Sequence, residues 1–209
     1  MINVCLADNY PVVHFGIKSY FKEHDEIAIV SNIGHFSMLE EALKNKKIDV
    51  LVIDLELEGL ASIFELKAII KNNPKTKVVI FSGLSEQIYA PNAIKSGVAG
   101  FVHKSEKLET LGKTISRVNE GEIIISEAVQ RNLNLISKQT KSERLYRKLS
   151  NREIEVLRYL SDGKKNNEIA KILNLNEKTI STYKLRLLTK LNVTNLVDLV
   201  NKAKTLQIV

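Results

Sequence analysis

The 209-residue sequence contains no tryptophan, three prolines and one cysteine, Cys5. One cysteine cannot form an intramolecular disulfide, and it leaves too few thiolates for the usual structural zinc site. The N-terminus lacks a basic region followed by an apolar run, so we expect no signal peptide. No stretch approaches the ~18 consecutive apolar residues of a membrane span. We therefore expect a soluble, cytoplasmic protein with no membrane partner.

Basic residues exceed acidic ones by 31 to 24, but the excess is unevenly distributed. Residues 1–125 carry 14 basic and 16 acidic side chains, residues 126–149 carry 6 and 2, and residues 150–209 carry 11 and 6. A compact basic region favours a polyanionic partner, with nucleic acid the first candidate and an anionic membrane the second. By charge alone, a merely solvated basic surface fits equally well.

The first 125 residues alternate between short apolar runs and segments with the helical period. The apolar runs predict five buried strands at Ile2–Ala7, Ile27–Val30, Val50–Ile53, Val78–Phe81 and Gly100–Val102. The segments between and after them predict helices at Pro11–Lys22, Met38–Lys46, Ile63–Asn72, Pro91–Ser96 and Leu108–Glu120. This alternation predicts a doubly wound α/β domain built on a five-stranded parallel sheet.

Polar side chains follow four of the predicted strands. Asp8 and Asn9 follow the first strand, Asp54 follows the third, Ser82 the fourth and Lys104 the fifth. A single aspartate at a strand end is most often a turn or cap residue. Because ligands bind at the carboxyl ends of the strands in such sheets, the combination predicts a binding site there.

The chain from Ser150 onward has a purely helical pattern and predicts an all-α domain. Ser150 and Glu153 form a capping box that opens a helix ending near Asp162 and Gly163. Further helices are predicted at Asn167–Leu173, Glu177–Leu191 and Asn195–Lys204, with a turn at 174–176 and Thr194 as a cap. Residues 126–149 are polar and basic and predict a linker with a partial helix near Val129–Ile136. Two helices joined by a three-residue turn fit a helix-turn-helix.

The third of these helices has the faces of a DNA-recognition helix. At ~100° per residue, one face carries small polar groups and the opposite face is apolar. The first face holds Lys178, Ser181, Thr182 and Leu185, the second holds Ile180, Tyr183, Leu187 and Leu191, and Lys184 and Arg186 flank them. This arrangement would let the polar side chains contact base edges and the flanking cations contact phosphates. An ordinary amphipathic surface helix is the alternative.

These motifs resemble a known family. The stretches LSNREIEVLRYLSDGKKNNEIAKILNLNEKTISTYKLRLLTKLNV and GFVHKSEKL are similar to two-component response regulators of the NarL/FixJ class, and most of all to the BvgA/EvgA-type subgroup. The resemblance covers essentially the whole chain. It implies a receiver domain at residues 1–125, a linker at 126–149 and a LuxR-type helix-turn-helix domain at 150–209.

The resemblance also implies roles for individual residues. Asp54 matches the phosphoacceptor, Ser82 and Lys104 match the groups that hold the phosphoryl, and Phe101 matches an aromatic switch. Asp8, Asp54 and the backbone carbonyl of Glu56 match the ligands of Mg²⁺. DNA contacts are implied for Lys178, Thr179, Ser181, Thr182, Lys184 and Arg186, and the last helix is implied as a dimer seam. The implied partners are double-stranded DNA, a sensor histidine kinase and a second copy of the chain, with RNA polymerase as a further candidate.

The chain departs from the family at Asn9, where a second acid is usual. A neutral amide supplies no charge to a hard cation, so we expect weaker Mg²⁺ binding and slower phosphorylation. Glu58 also stands where a proline is usual. A regulator that acts without phosphorylation, with the receiver kept as a docking module, is therefore the alternative.

A phosphatase resembling the haloacid dehalogenases is a weaker alternative. Such enzymes also have an acid two residues after the strand-end aspartate, but that acid is normally aspartate, and a threonine is expected where this chain has Glu58. The phosphatase reading would also leave the DNA-binding half unexplained. We therefore expect no enzyme. We interpret Cys5 as a small buried hydrophobe and His103 as a strand-packing residue.

Overall fold

A computed structural model describes residues 1–134, 149–206 and 208 of the chain. The chain divides into two compact units, Met1–Gln130 and Arg131–Val209. The predicted domains, residues 1–125 and 150–209, lie one in each unit, while the exact limits of the linker stay a prediction. Within the described ranges, no helix is both long and apolar enough to cross a bilayer.

The first unit is built on a five-stranded parallel sheet with the order β2-β1-β3-β4-β5. Its strands are β1 (Ile2–Ala7), β2 (Ile27–Ile33), β3 (Val50–Ile53), β4 (Lys77–Ser82) and β5 (Gly100–His103). The strand order reverses between β1 and β3, which is the switch point where doubly wound sheets bind their ligands. The predicted fold class is confirmed.

The helices of this unit are α1 (Pro11–Phe21), α2 (Leu39–Asn45), α3 (Ile63–Asn72), α4 (Glu86–Lys95) and α5 (Leu108–Asn119), with a 3₁₀ turn at Phe36–Met38. A further helix, α6 (Glu127–Asn134), begins in this unit and continues past its last residue, Gln130. The central strands β3 and β4 are buried on both faces, while the edge strand β2 is mostly half-buried. On one face, alternate strand residues such as Leu6, Val52 and Phe81 form a single apolar cluster with Phe21 of α1 and Ile115 of α5. This packing leaves the carboxyl ends of the strands to carry polar groups.

Two boundaries in this unit were predicted wrongly. Helix α4 begins at Glu86 rather than at Pro91, which lies inside the helix. An interior proline costs about 3 kcal/mol, but the residues before it, Ile88 to Ala90, are buried and packing overrides the local cost. Strand β2 continues to Ile33 because pairing with β1 continues through the polar Ser31 and Asn32.

The second unit contains four helices among its residues from 149 onward: α7 (Asn151–Ser161), α8 (Asn166–Ile172), α9 (Glu177–Leu191) and α10 (Leu196–Thr205). The predicted capping box is present, since Glu153 N–H donates to Ser150 Oγ and Ser150 N–H donates to Glu153 Oε2. Asn176 caps α9 as predicted. The cap of α10 is Asn195 and not Thr194, because the Asn195 side chain reaches the Asp198 N–H at 2.9 Å.

The partial helix predicted in the linker is present as α6, which begins two residues earlier than expected. The last two residues of that prediction, 135 and 136, lie outside the described part of the chain.

Candidate functional site: an acidic pocket and a recognition helix

Four side chains meet at the carboxyl edge of the sheet, and we call this group the acidic pocket: Asp8, Asp54, Ser82 and Lys104. Lys104 Nζ lies 2.5 Å from Asp54 Oδ2 and 2.7 Å from Asp8 Oδ2. Ser82 Oγ donates to Asp54 Oδ1 at 2.6 Å. Both carboxylates and the serine are almost fully buried. The predicted convergence of these residues is therefore present in the structure.

Lys104 is the positive charge that balances the two buried carboxylates. Burial alone would lower the pKa of this lysine, but Asp54 and Asp8 together hold it above its ordinary value. Asp8 Oδ2 lies against the Lys104 ammonium at 2.7 Å and has no further hydrogen-bond donor in the described structure. The pocket thus holds one buried carboxylate oxygen whose partner in the described structure is Lys104.

Backbone and helix groups fix the orientation of the carboxylates. Tyr10 N–H donates to Asp8 Oδ1 at 2.8 Å, and Glu56 N–H donates to Asp54 Oδ1 at 3.1 Å. His14 of α1 holds the Asp8 carbonyl oxygen through Nε2 at 2.7 Å. The sequence reasoning missed His14 and Tyr10, although their positions, six and two residues after Asp8, place them in the first turn of the following helix and its N-cap.

Asn9 extends across to the loop between β3 and α3. Its Nδ2 donates to the Glu56 carbonyl oxygen at 2.7 Å, and its Oδ1 accepts from the Glu58 N–H at 2.6 Å. The amide is therefore engaged through both of its polar atoms.

The sequence resemblance implies a Mg²⁺ site here, and the residues present fit such an ion. Mg²⁺ takes oxygen ligands, and Asp8 and Asp54 offer two buried carboxylates, one with an oxygen that has no donor besides Lys104 in the described structure. In the described ranges, no three acidic, histidine or cysteine side chains are grouped as a metal centre. The Glu56 carbonyl already accepts one hydrogen bond from Asn9 but has a second lone pair. The remaining ligands would have to be water.

Three further residues near the pocket were assigned roles from the sequence: Phe101, Cys5 and His103. Phe101 is buried in β5, with its backbone N–H on the Ile124 carbonyl at 3.0 Å. Cys5 is fully buried, and burial raises the pKa of its thiol to about 11, which confirms its packing role. His103 lies at the end of β5 and is half-buried, as a strand-packing residue would be, and its ring also makes hydrogen bonds. Its ring is partly exposed, with Nε2 on the Gly83 carbonyl at 2.9 Å and Nδ1 beside Ser105 Oγ at 2.6 Å.

Helix α9 has the two faces that the sequence predicts. Ile180, Leu187 and Leu191 are buried, while Leu185 on the opposite face is 65% exposed. Lys178, Thr182 and Arg186 are exposed. A helix with one face packed and the other carrying small polar groups and cations has the form needed to enter a major groove.

The hydroxyl groups on this face are partly engaged within the protein. Ser181 Oγ accepts from Asn166 Nδ2 at 3.2 Å, which joins α8 to α9, and donates to the Glu177 carbonyl. Thr182 Oγ1 donates to the Lys178 carbonyl at 3.0 Å. Thr179, Ser181 and Lys184 are half-buried. Their DNA contacts stay predictions.

A partly buried ion pair joins α9 to α7. Lys190 Nζ lies 2.7 Å from Glu153 Oε2, and Glu153 is only 1% exposed. Burial alone would raise the pKa of Glu153, but the Lys190 ammonium and the Ser150 hydrogen bonds hold it below its ordinary value. The capping residue of one helix thereby also positions the recognition helix.

The fold, the pocket and the helix-turn-helix define a phosphorelay receiver joined to a DNA-binding domain. Family models match both parts: "Response regulator receiver domain" over residues 4–116 and "Bacterial regulatory proteins, luxR family" over residues 147–203. The chain belongs to the two-component response regulators with a LuxR-type helix-turn-helix, as the sequence motifs indicate. This is a family of transcription regulators rather than enzymes, whose partners are sensor histidine kinases and DNA.

Full-length relatives are similar to the whole chain. The Fimbriae Z protein of Salmonella typhimurium (strain LT2) is 32% identical, over 97% of this chain and 96% of its own length. The DNA-binding transcriptional activator EvgA of Escherichia coli (strain K12) is 28% identical, over 95% of each chain.

Solved structures lead to the same family. The RcsB response regulator of Salmonella typhimurium, from a study of conformational dynamism for DNA interaction, superposes with a TM-score of 0.81. It is 27% identical over 99% of this chain and 98% of its own. RcsB bound to the promoter P1flhDC in the presence of phosphomimetic BeF₃⁻ gives a TM-score of 0.80 at 28% identity, over 98% of each chain.

Proposed function

We propose that a sensor histidine kinase phosphorylates this regulator on Asp54 and that phosphorylation controls its binding to DNA. The observation that carries the proposal is the Asp54 carboxylate, which is buried at the switch point with Ser82 Oγ and Lys104 Nζ already within hydrogen-bond distance. These are the two kinds of group that a phosphoryl on Asp54 would need.

In the transfer step, a carboxylate oxygen of Asp54 attacks the phosphorus of a phosphohistidine on the kinase. The new O–P bond forms as the P–N bond breaks, and the electron pair leaves with the imidazole. Mg²⁺ held by Asp8, Asp54 and the Glu56 carbonyl would supply positive charge to the phosphoryl oxygens. Lys104 and Ser82 then donate to those oxygens instead of to the carboxylate.

The switch follows from this change of partner. When Lys104 and Ser82 move from the carboxylate to the phosphoryl, the loop after β4 moves with Ser82. Phe101 on the neighbouring strand is the proposed aromatic switch that responds to this movement. The receiver thus has two conformations, and the phosphoryl group on Asp54 stabilises one of them and so shifts their populations.

On DNA, we propose a homodimer that places two α9 helices in successive major grooves, about 34 Å apart on a pseudo-palindromic site. The proposed contacts are Lys178, Thr179, Ser181, Thr182, Lys184 and Arg186, with α10 as the dimer seam. Solved structures of relatives support this: one study describes two RcsB dimers bound to two parallel DNAs. We place the protein in the cytoplasm, where its DNA target lies, and RNA polymerase at the promoter as a further partner.

The alternative, a regulator that acts without phosphorylation, is not favoured. The relatives belong to the phosphorelay family, and the pocket retains Asp54, Ser82 and Lys104 in contact. Weaker Mg²⁺ binding because of Asn9 remains part of the proposal. So do the domain limits 1–125, 126–149 and 150–209.

Intact mass after incubation with acetyl phosphate and Mg²⁺ tests the proposal. We expect a gain of one phosphoryl group in the natural chain and none in Asp54→Ala. No gain in either protein, or an equal gain in both, would contradict Asp54 as the phosphoacceptor.

A further inference from the structure

The Asn9 side chain joins two loops that are distant in sequence. It follows β1, while its two partners, the Glu56 carbonyl and the Glu58 N–H, lie 47 and 49 residues later, in the loop after β3. The two hydrogen bonds, at 2.7 and 2.6 Å, form a side-chain pairing between one amide and one short backbone segment. We call this pairing the Asn9 clamp.

The Asn9 clamp depends on amide chemistry. Asparagine offers an N–H donor and an oxygen acceptor on the same group, and the clamp uses both. A carboxylate has only acceptors, so aspartate at this position could accept from Glu58 but would place its second oxygen against the Glu56 carbonyl. Two facing acceptors repel each other unless a cation lies between them.

The clamped segment is also held from its other side. The Glu58 carbonyl accepts from the Phe36 N–H at 2.8 Å. The next residue, Gly59, has a φ of +86°, and the His35 ring lies over it so closely that a β-carbon would be 2.6 Å from Cε1. The segment is thus fixed by backbone and side-chain contacts from both neighbouring loops, with no charge supplied by residue 9.

We propose that the Asn9 clamp orders the loop after β3 without a cation, a task that a bridging cation would perform if residue 9 were an acid. Asn9 is therefore a positioning residue. With Asn9 in place, the loop after β3 is ordered in the unphosphorylated protein whether or not Mg²⁺ is bound. The ion is then needed only for phosphoryl transfer. Asn9→Asp does not simply improve the site, because it exchanges a cation-independent loop for a cation-dependent one.

Hydrogen exchange of the segment 55–60 in the full-length chain tests this inference. In the natural protein, we expect the same protection with millimolar Mg²⁺ as with a chelator. In Asn9→Ala, which removes both hydrogen bonds without adding charge, exchange with chelator should be roughly tenfold faster, because each of the two exposed hydrogen bonds contributes a few-fold. In Asn9→Asp, exchange should be faster with chelator, and Mg²⁺ should restore it to nearly the natural rate.

Asn32→Asp is the matched control. It makes the same change of charge at an exposed position of the neighbouring strand β2, so we expect exchange of the segment 55–60 to match the natural protein. Natural protection that rises with Mg²⁺ as steeply as in Asn9→Asp would overturn the inference. So would Asn9→Ala exchanging at the natural rate. The readout needs no phosphodonor, so it can fail while Asp54 phosphorylation stands, and the reverse.

Discussion

The two units place their functional charge in opposite surroundings. In the acidic pocket, two carboxylates and one ammonium are buried or nearly so and contact one another directly. On α9, Lys178 and Arg186 are exposed: Lys178 lies on the side opposite the buried leucines, and Arg186 lies at the flank. In the described helix-turn-helix, Glu153 and Glu155 are buried, and their partners Lys190 and Arg152 are partly exposed.

This difference predicts how each unit responds to substitution. A buried charge that loses its partner is costly, while an exposed charge interacts weakly with the rest of the protein and is screened by salt. Changes in the pocket should therefore alter the stability and state of the receiver. Changes on α9 should leave its stability nearly unchanged and alter affinity for a polyanion.

The largest expected effect is that of Lys104→Ala, which leaves Asp8 and Asp54 buried without a positive charge. We expect the free energy of unfolding of the receiver to fall by about 3 kcal/mol at neutral pH in the presence of a chelator, because an uncompensated buried charge remains. The raised pKa of Lys104 means that its stabilising contribution is present throughout the neutral range and is lost only as pH rises through that raised pKa. Urea denaturation followed by amide signals of the sheet measures the loss.

Lys113→Ala is the control for this prediction. Lys113 pairs with Glu109 one helical turn away, and both side chains are largely exposed, so we expect almost no change in stability. If the two lysine variants were equally stable, the charge balance assigned to the pocket would be wrong.

A smaller effect is expected for Glu153→Gln in the other unit. The variant loses the ion pair with Lys190 and should destabilise the helix-turn-helix by about 1 kcal/mol near neutral pH. Because the pKa of Glu153 is below its ordinary value of 4.5, its contribution is present above that value and is lost as pH falls through the lowered pKa. The natural chain should therefore lose stability on acidification more steeply than the variant.

Amide signals of α7, followed during urea denaturation between pH 3 and 7, measure this difference. Glu177→Gln, at an exposed position in the first turn of α9, should keep the natural pH dependence. Parallel pH profiles for Glu153→Gln and the natural chain would show that the ion pair contributes nothing.

Substitutions on α9 should have the smallest effects on stability and should change the affinity for DNA instead. Lys184→Ala should weaken binding to all DNA sequences alike and reduce the salt dependence by about one phosphate contact. Thr182→Ala should alter sequence preference, since a small polar side chain on this face meets base edges. Binding to specific and scrambled duplexes at several salt concentrations separates the two. Identical behaviour of the variants would contradict the assignment of the faces.

Most of the fold follows from local pattern, and the errors have physical causes. The apolar runs predicted the central strands because these are buried on both faces of the sheet. Helix α4 was predicted too short because the penalty of Pro91 is local, whereas the burial of the preceding residues is a tertiary effect. Strand β2 was predicted too short because its last residues are polar yet still paired with β1.

The acidic pocket was predictable in composition but not in detail. The strand-end positions of Asp8, Asp54, Ser82 and Lys104 bring them together in any parallel sheet of this order. Asn9 was interpreted only as a missing charge, because nothing in the sequence indicates that its amide pairs with a backbone segment 47 residues away. The hydrogen bond between His103 and Gly83 was missed for the same reason, since it joins residues 20 apart.

Sedimentation velocity of the full-length chain tests the central claim most directly. The chain is measured before and after incubation with acetyl phosphate and Mg²⁺, beside Asp54→Ala under the same conditions. The account predicts that the natural chain shifts from monomer to dimer as it gains a phosphoryl group, while Asp54→Ala does not shift. A dimer of the same stability in both proteins, with or without the phosphodonor, would contradict control through Asp54.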